Sequence, residues 1–284
     1  MHRHEAIYTH PDQLTDEYKE QLWKFLSIQI CIEGGMGDAK GIPPHNAMTA
    51  HEFPETRHRR FIANKLADER DHAYGLFQVA KGIGKDPHAL LAAVREDPEK
   101  TRALDAMKEL ERIGTHLEFE VLCLLGEAAG GIASLGMVGG TYLPWSMWNA
   151  RNFLDEGLTH SLLSMRQCRE AVDAGDGEIA QAHYDHHYPF WLDAFGAANT
   201  PNEEAYLRLG IKTLTNTECR VIWLRQMRDR TEKAGLKFPE DPYQGKRGRY
   251  DECEEGLEGN WGAFSDQVIT DGQIYGQGVL ARGV

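Results

Sequence analysis

Two stretches of the sequence decide the fold that it predicts: LADERDHAYGL at residues 66–76 and FLDEGLTHSLL at residues 153–163. Each has helical spacing of apolar residues, and each carries a glutamate followed by a histidine about one turn later. These pairs are Glu69 with His72 and Glu156 with His160. Side chains three or four residues apart share a helix face, with Cβ atoms roughly 5–6 Å apart. Each pair can therefore approach one metal ion.

A further glutamate precedes each of these stretches on the apolar stripe of a predicted helix. Glu33 ends the helix predicted over residues 15–34, and Glu127 lies in LCLLGEAAGG within the helix predicted over residues 116–137. A buried carboxylate is costly unless it binds a metal or an opposite charge. Two lone glutamates and two Glu/His pairs on four helices are the ligand set of a di-iron centre in a four-helix bundle.

Glu118 and Glu120 compete with Glu127 on the third bundle helix. Glu120 lies seven residues before Glu127 on the same stripe, roughly 10 Å away along the axis, so only one of them can serve a compact site. We choose Glu127 because apolar and small residues surround it. The other two lie near the helix start, where the helix dipole favours carboxylates.

The predicted fold class is all-α: a ferritin-like four-helix bundle with additional C-terminal helices and an irregular C-terminal arm. Glycines or prolines mark the ends of most helices. Thr200, Pro201 and Glu203 form a predicted capping box that opens the last long helix. The predicted helices cover residues 15–34, 54–81, 116–137, 144–172, 176–195 and 200–234, with a short one in DPHALLAAVREDPEK and a small terminal one in GNWGAFSDQVI.

We expect a single helical domain over residues 1–237 and an arm over residues 238–284 that packs on it. The formal charge of −13 argues against a nucleic-acid partner, since phosphates need a basic face. The five cysteines form no CxxC pair, so we interpret them as buried reduced thiols. The sequence has no apolar stretch suited to a signal peptide or a membrane span, and we expect a cytoplasmic location without membrane partners.

The order and spacing of several segments resemble those of the catalytic subunit of bacterial phenylacetyl-CoA epoxidases, a family of ferritin-like di-iron monooxygenases. The resemblance covers most of the chain. It is carried by CIEGGMG, NKLADERDHAYGLF, LLGEAAGG, the LDEGLTH region, IKTLTNTECRVIWLRQM, EKAGLKFPEDP, GRYD and NWGAFSDQVI.

The resemblance implies two iron ions, O2 as co-substrate, a reductase that donates electrons, and an aromatic or acyl-CoA substrate that is epoxidised or hydroxylated. A ferritin-like partner subunit or a homo-oligomer would complete the assembly. Lys65 matches a lysine near the family's iron site. The residues that match the family's iron ligands are Glu33, Glu69, His72, Glu127 and Glu156, with His160 as the sixth ligand.

Two features depart from the family pattern. The family's fourth helix has its histidine three residues after the glutamate, whereas here Thr159 stands at that position and His160 follows it. An ordinary helix accommodates a spacing of four residues, and a π-bulge would restore the family register. The linker GIPPHNAMTAHEFPETRHRR between the first two bundle helices is also longer than we expect, which affects substrate entry and CoA binding.

Other interpretations stay open. A non-catalytic bundle subunit would lack several of these ligands, and an iron-storage or ferroxidase protein would be a shorter bundle. Manganese or a mixed-metal pair would use the same ligand types. His183, His186 and His187 in HYDHHY could attract a metal, although we favour a surface or interface role. We interpret the glycines of residues 126–140 as packing residues, and likewise the aromatic residues Tyr142, Trp145 and Trp148.

Overall fold

The computed structural model describes residues 6–33, 56–93, 96, 115–196, 200–246, 267–269 and 272. These residues are predominantly helical and include no strand, which confirms the predicted all-α class. They form two compact units, one of Tyr8–His116 and one of Leu117–Val284 with Met1–Ile7. The ferritin-like topology and the boundary at residue 237 stay predictions. Nowhere in the described residues is a helix long and apolar enough to cross a membrane.

Within its described residues, the unit of Tyr8–His116 contains three helices: α1 (Asp16–Glu33), α2 (Thr56–Gly82) and α3 (Pro87–Ala93). A short 3-10 turn, Pro11–Gln13, precedes α1 and is capped by His10. The apolar stripe of α1 is fully buried at Leu22, Leu26 and Ile30, and α1 packs against both α2 and α3. The two predicted bundle helices are confirmed to within two residues at each end. Residues 34–55, with most of the long linker, lie outside the described residues.

The unit of Leu117–Val284 is built around α4 (His116–Leu135), whose side chains are buried along most of its length. Its core joins α4 to the aromatic residues Tyr184, Tyr188 and Trp223 of later helices. Those later elements are α5 (Leu143–Asn152), a π segment (Phe153–His160), α6 (Ser161–Ala171), a second π-helical turn (Val172–Asp176), α7 (Gly177–Asp193), α8 (Pro201–Leu209) and α9 (Asn216–Lys233).

The prediction of one helix over residues 200–234 is wrong. Helix α8 ends at Leu209, and Gly210 adopts a left-handed φ of 73° that closes it. The connection then folds onto the end of α4, where the Gly136 carbonyl accepts the backbone N–H of Thr213 at 2.7 Å. A new capping box at Thr215 starts α9.

The predicted capping box at Thr200 is only half formed. The Thr200 hydroxyl accepts the backbone N–H of Glu203 at 3.2 Å, as predicted. The Glu203 carboxylate, however, accepts the backbone N–H of Asn216 at the start of α9. Glu203 therefore joins two helices instead of closing its own.

Most of the glycines and all of the aromatic residues that we interpreted as packing lie in close contacts, whereas Gly139 is exposed with open space beside it. A Cβ on Gly126 would meet the Trp191 ring at 2.5 Å. Trp145 and Trp148 are buried and stacked, with ring centroids 5.6 Å apart. The free thiols of Cys31, Cys123, Cys168 and Cys219 are buried as predicted, whereas Cys253 and most of the C-terminal arm lie outside the described residues. Of the predicted terminal helix, residues 267–269 are helical.

Candidate metal centre

The first ligand group lies within the unit of Tyr8–His116. It consists of Glu33 at the end of α1 and of Glu69 and His72 on α2, and their ligand atoms lie within 4.8 Å of one another. His72 Nδ1 is 3.7 Å from Glu69 Oε2. A carboxylate–carboxylate–imidazole group of this size can hold a metal ion, which supports the metal-binding part of the prediction.

Three ionisable side chains of α2 lie on its buried face. Glu69 is 8% exposed and His72 1%, and Lys65, one turn earlier, is 2% exposed. Arg70 and Tyr74 face solvent on the other side of the helix. A solvated charged face, which would be the usual interpretation of ADERDH, is therefore ruled out for Glu69 and His72.

The second ligand group lies within the unit of Leu117–Val284. His160 Nδ1 at the end of the π segment is 3.3 Å from Glu127 Oε2 on α4. Glu156 and His160 are both buried, at 6% and 1% exposure. The structure thus brings Glu127 and His160 into contact, and it buries Glu156 on the same π segment as His160.

Residues Phe153–His160 form a π segment, which is the wide turn that would restore the family register. The backbone N–H of Ser161 donates to the Glu156 carbonyl, five residues back, which is the π-helical pattern. The Thr159 hydroxyl donates to the Leu154 carbonyl at 3.0 Å. A π turn holds about one residue more than an α turn, so residues four apart come to one face as residues three apart do in an α-helix. Accordingly Glu156 and His160 are buried while Thr159 is exposed.

A buried cation supports this wide turn. Arg230 of α9 donates from Nη2 to the Gly157 carbonyl at 2.6 Å and from Nη1 to the Ser161 hydroxyl at 2.7 Å. The Ser161 hydroxyl in turn donates to the Gly157 carbonyl at 2.9 Å. Burial lowers the pKa of Arg230 to about 10, so the guanidinium remains charged at neutral pH.

Glycines of α4 let the π segment approach closely. A Cβ on Gly131 would overlap the backbone of Gly157, and a Cβ on Gly130 would overlap the carboxylate of Glu156. Only a residue without a side chain fits at these two positions while the π segment and Glu156 stay where they are. The GG pair of LLGEAAGG therefore shapes the surroundings of Glu156.

The competing glutamates of α4 have other neighbours. Glu118 Oε1 is 3.2 Å from His187 Nε2. Glu120, which lies on the same predicted stripe as Glu127, is 2% exposed. Its charge adds to burial in raising the pKa of the Cys168 thiol.

The sequence did not single out Arg230 or Ser161. Arg230 lies in RQMRDRTEK, which has the composition of an exposed charged helix end. No local signal separates the buried arginine from its exposed neighbours, because its acceptors lie 69 and 73 residues away.

The donor types fit iron. Carboxylate oxygens and imidazole nitrogens serve ferrous, ferric and manganous ions, and the described groups contain no thiolate that would favour a softer metal. Comparison of the sequence with models of protein families and with curated proteins finds no match. The resemblance to the epoxidase family therefore stays a prediction from the sequence.

Proposed function

We propose that this chain is a di-iron oxygenase that inserts one atom of O2 into an aromatic substrate, with electrons from a reductase partner. The proposed iron ligands are Glu33, Glu69, His72, Glu127, Glu156 and His160. The observation that carries the proposal is that ionisable side chains are buried at predicted ligand positions of both units, although burial of such groups is costly. The buried residues are Glu69, His72, Glu156 and His160.

Charge balance supports two ferrous ions at such a ligand set. Four carboxylates and two neutral imidazoles carry four negative charges, which equal the charge of two ferrous ions. When bound, the ions would reduce O2 with two electrons from the reductase, so that one oxygen atom enters the substrate and the other leaves as water.

The chain's own residues would hold and orient this centre. The contact between His160 Nδ1 and Glu127 Oε2 restrains the imidazole ring before any metal binds. Arg230 donates to the carbonyl of Gly157, the residue after Glu156, and to the hydroxyl of Ser161, the residue after His160. Lys65 lies one turn before Glu69 on the buried face of α2, where we propose that its ammonium group offsets carboxylate charge.

The substrate class follows the resemblance alone. We propose an aromatic CoA thioester, with epoxidation or hydroxylation as the reaction and a ferritin-like partner or a second copy of the chain in the assembly. The buried thiols fit the reducing cytoplasm where we propose that it acts.

The first experiment measures metal content. The purified protein is loaded with ferrous iron-57 without oxygen, and iron is quantified by elemental analysis and Mössbauer spectroscopy. We expect two irons per chain as a coupled pair, with about half of the iron or all of the activity lost in Glu69→Ala at unchanged helicity. A chain that stays metal-free would overturn the proposal and indicate a non-catalytic subunit.

The second experiment follows the oxygen atom. The iron-loaded protein, a reductase and an aromatic CoA thioester react under ¹⁸O2, and the product is analysed by mass spectrometry. One labelled oxygen per product molecule is expected, with turnover rising when the partner subunit is added. Rapid oxidation of added ferrous iron without labelled product would instead identify a ferroxidase.

A further inference from the structure

A second group of potential metal ligands lies apart from the proposed iron ligands, between the first turn of α4 and the face of α7. Glu118 Oε1 is 3.2 Å from His187 Nε2 and 3.9 Å from His183 Nδ1. The two histidines are one turn apart on α7, so their rings lie on the same face. Folding thus places a carboxylate beside the histidines of HYDHHY, which the sequence alone did not indicate.

Both imidazoles are placed to act as ligands. His187 is buried, and burial lowers its pKa, against the opposing effect of Glu118. Its ring is therefore neutral at neutral pH, which is the form that binds a metal. The side chain of His183 is 22% exposed and that of Glu118 17%, so solvent reaches the group from one side.

We propose that Glu118, His183 and His187 bind one divalent transition-metal ion of the zinc type, with water at the fourth position. Ligand atoms of a tetrahedral zinc, with bonds of about 2.0–2.1 Å, lie roughly 3.4 Å apart. The contact of Glu118 with His187 already has this length. Binding requires the partly exposed His183 ring to move closer, because its Nδ1 is 3.9 Å from Glu118 Oε1 and the ligand atoms of the three residues do not all lie within 4.8 Å of one another.

The proposed site has a structural consequence and does not depend on the proposed oxygenase function. Glu118 lies in the first turn of α4, whereas both histidines lie on α7, 65 and 69 residues further along the chain. A metal that binds only the folded arrangement stabilises it by mass action. Zinc should therefore clamp α4 to α7 and raise the melting temperature.

The test compares zinc stoichiometry among four proteins. Metal-free wild type, Glu118→Gln, His183→Ala and the control His186→Ala are incubated with zinc, freed of excess metal by gel filtration and analysed for zinc. His186 is an exposed neighbour whose ring lies edge-on to that of His187, with ring centroids 4.8 Å apart, so it controls for the loss of a nearby imidazole that is not a proposed ligand. Zinc held at the candidate iron ligands contributes equally to all four proteins.

We expect wild type and His186→Ala to retain one zinc per chain more than Glu118→Gln and His183→Ala. The zinc-induced rise in melting temperature should also be smaller in the latter two. Because His183 and Glu118 are partly exposed, neither substitution should prevent folding, which circular dichroism checks. Equal zinc content in all four proteins would overturn the proposal and leave only a hydrogen bond between the helices.

Discussion

Gly130→Ala should separate iron binding from stability. In the structure an added Cβ would come closer than 3.0 Å to Glu156 Oε2 and to 3.2 Å from its carboxylate carbon, whereas ordinary contact starts at 3.4 Å. The oxygen must therefore retreat by more than 0.4 Å, the difference between 3.4 and 3.0 Å. Metal–ligand distances tolerate about 0.2 Å. The displaced carboxylate should no longer bind iron in its present geometry.

The same substitution should not weaken the fold. The clashing atoms belong to the end of a flexible side chain, which can swing aside at little cost. Alanine also favours a helix interior over glycine by about 0.8–1.0 kcal/mol. We therefore expect an unchanged or higher free energy of unfolding together with a fall in bound iron from two per chain to one or fewer.

The assay measures iron per chain and urea unfolding of the metal-free protein. Gly177→Ala at the start of α7 is the matched control, because its Cβ would meet Val172 at an ordinary 3.6 Å. It should keep its iron. If Gly130→Ala retained two irons per chain, the assignment of Glu156 as a ligand would be refuted.

Three further predictions concern Arg230, the position of the histidine in the π segment, and His187. Arg230→Met removes two hydrogen bonds from a charged donor, to the Gly157 carbonyl and the Ser161 hydroxyl, and should lower the free energy of unfolding by roughly 1–3 kcal/mol together with iron content. Arg230→Lys should retain more iron, and equal iron in the two variants would contradict a role in positioning the segment. The double variant Thr159→His with His160→Ala should lose iron, because position 159 is exposed, and elemental analysis showing full iron would mean that the wide turn is dispensable. Burial lowers the pKa of His187 below its ordinary 6.5, so the neutral ring contributes fully to the free energy of unfolding above pH 6.5, and this contribution is lost as the pH falls through the lowered pKa. His187→Gln should therefore flatten the fall in melting temperature at low pH. An unchanged pH profile would exclude His187 as the cause of that fall.

The bundle helices were predictable because their information is local. The apolar stripe of α1 and the glycines beyond its end mark its course, and the spacing of Glu69 and His72 marks the buried face of α2. The offset of His160 by one residue was compatible with an ordinary helix or with a π-bulge, and the structure has the π segment. For α1 and α2, residues within two or three helical turns determine the outcome.

Features that depend on distant residues were not predictable. Glu203 leaves its capping box for Asn216, 13 residues away. Glu118 resembles an ordinary helix-start carboxylate until folding brings His187 beside it. Tertiary contacts override local preference at these two points. The break between α8 and α9 is different, because Gly210 and the capping box of Thr215 with Glu218 are local signals that the prediction of one helix overlooked.

The π segment also determines how the helix around Glu156 and His160 can gain or lose one residue. Adding one residue to an α-helix turns everything that follows by about 100°. That rotation would take Ser164 and Cys168 of α6 away from the interior, yet both are fully buried. Because the wide turn absorbs one residue locally, an insertion or deletion there alters the residues near Glu156 while the packing of the helix beyond is preserved.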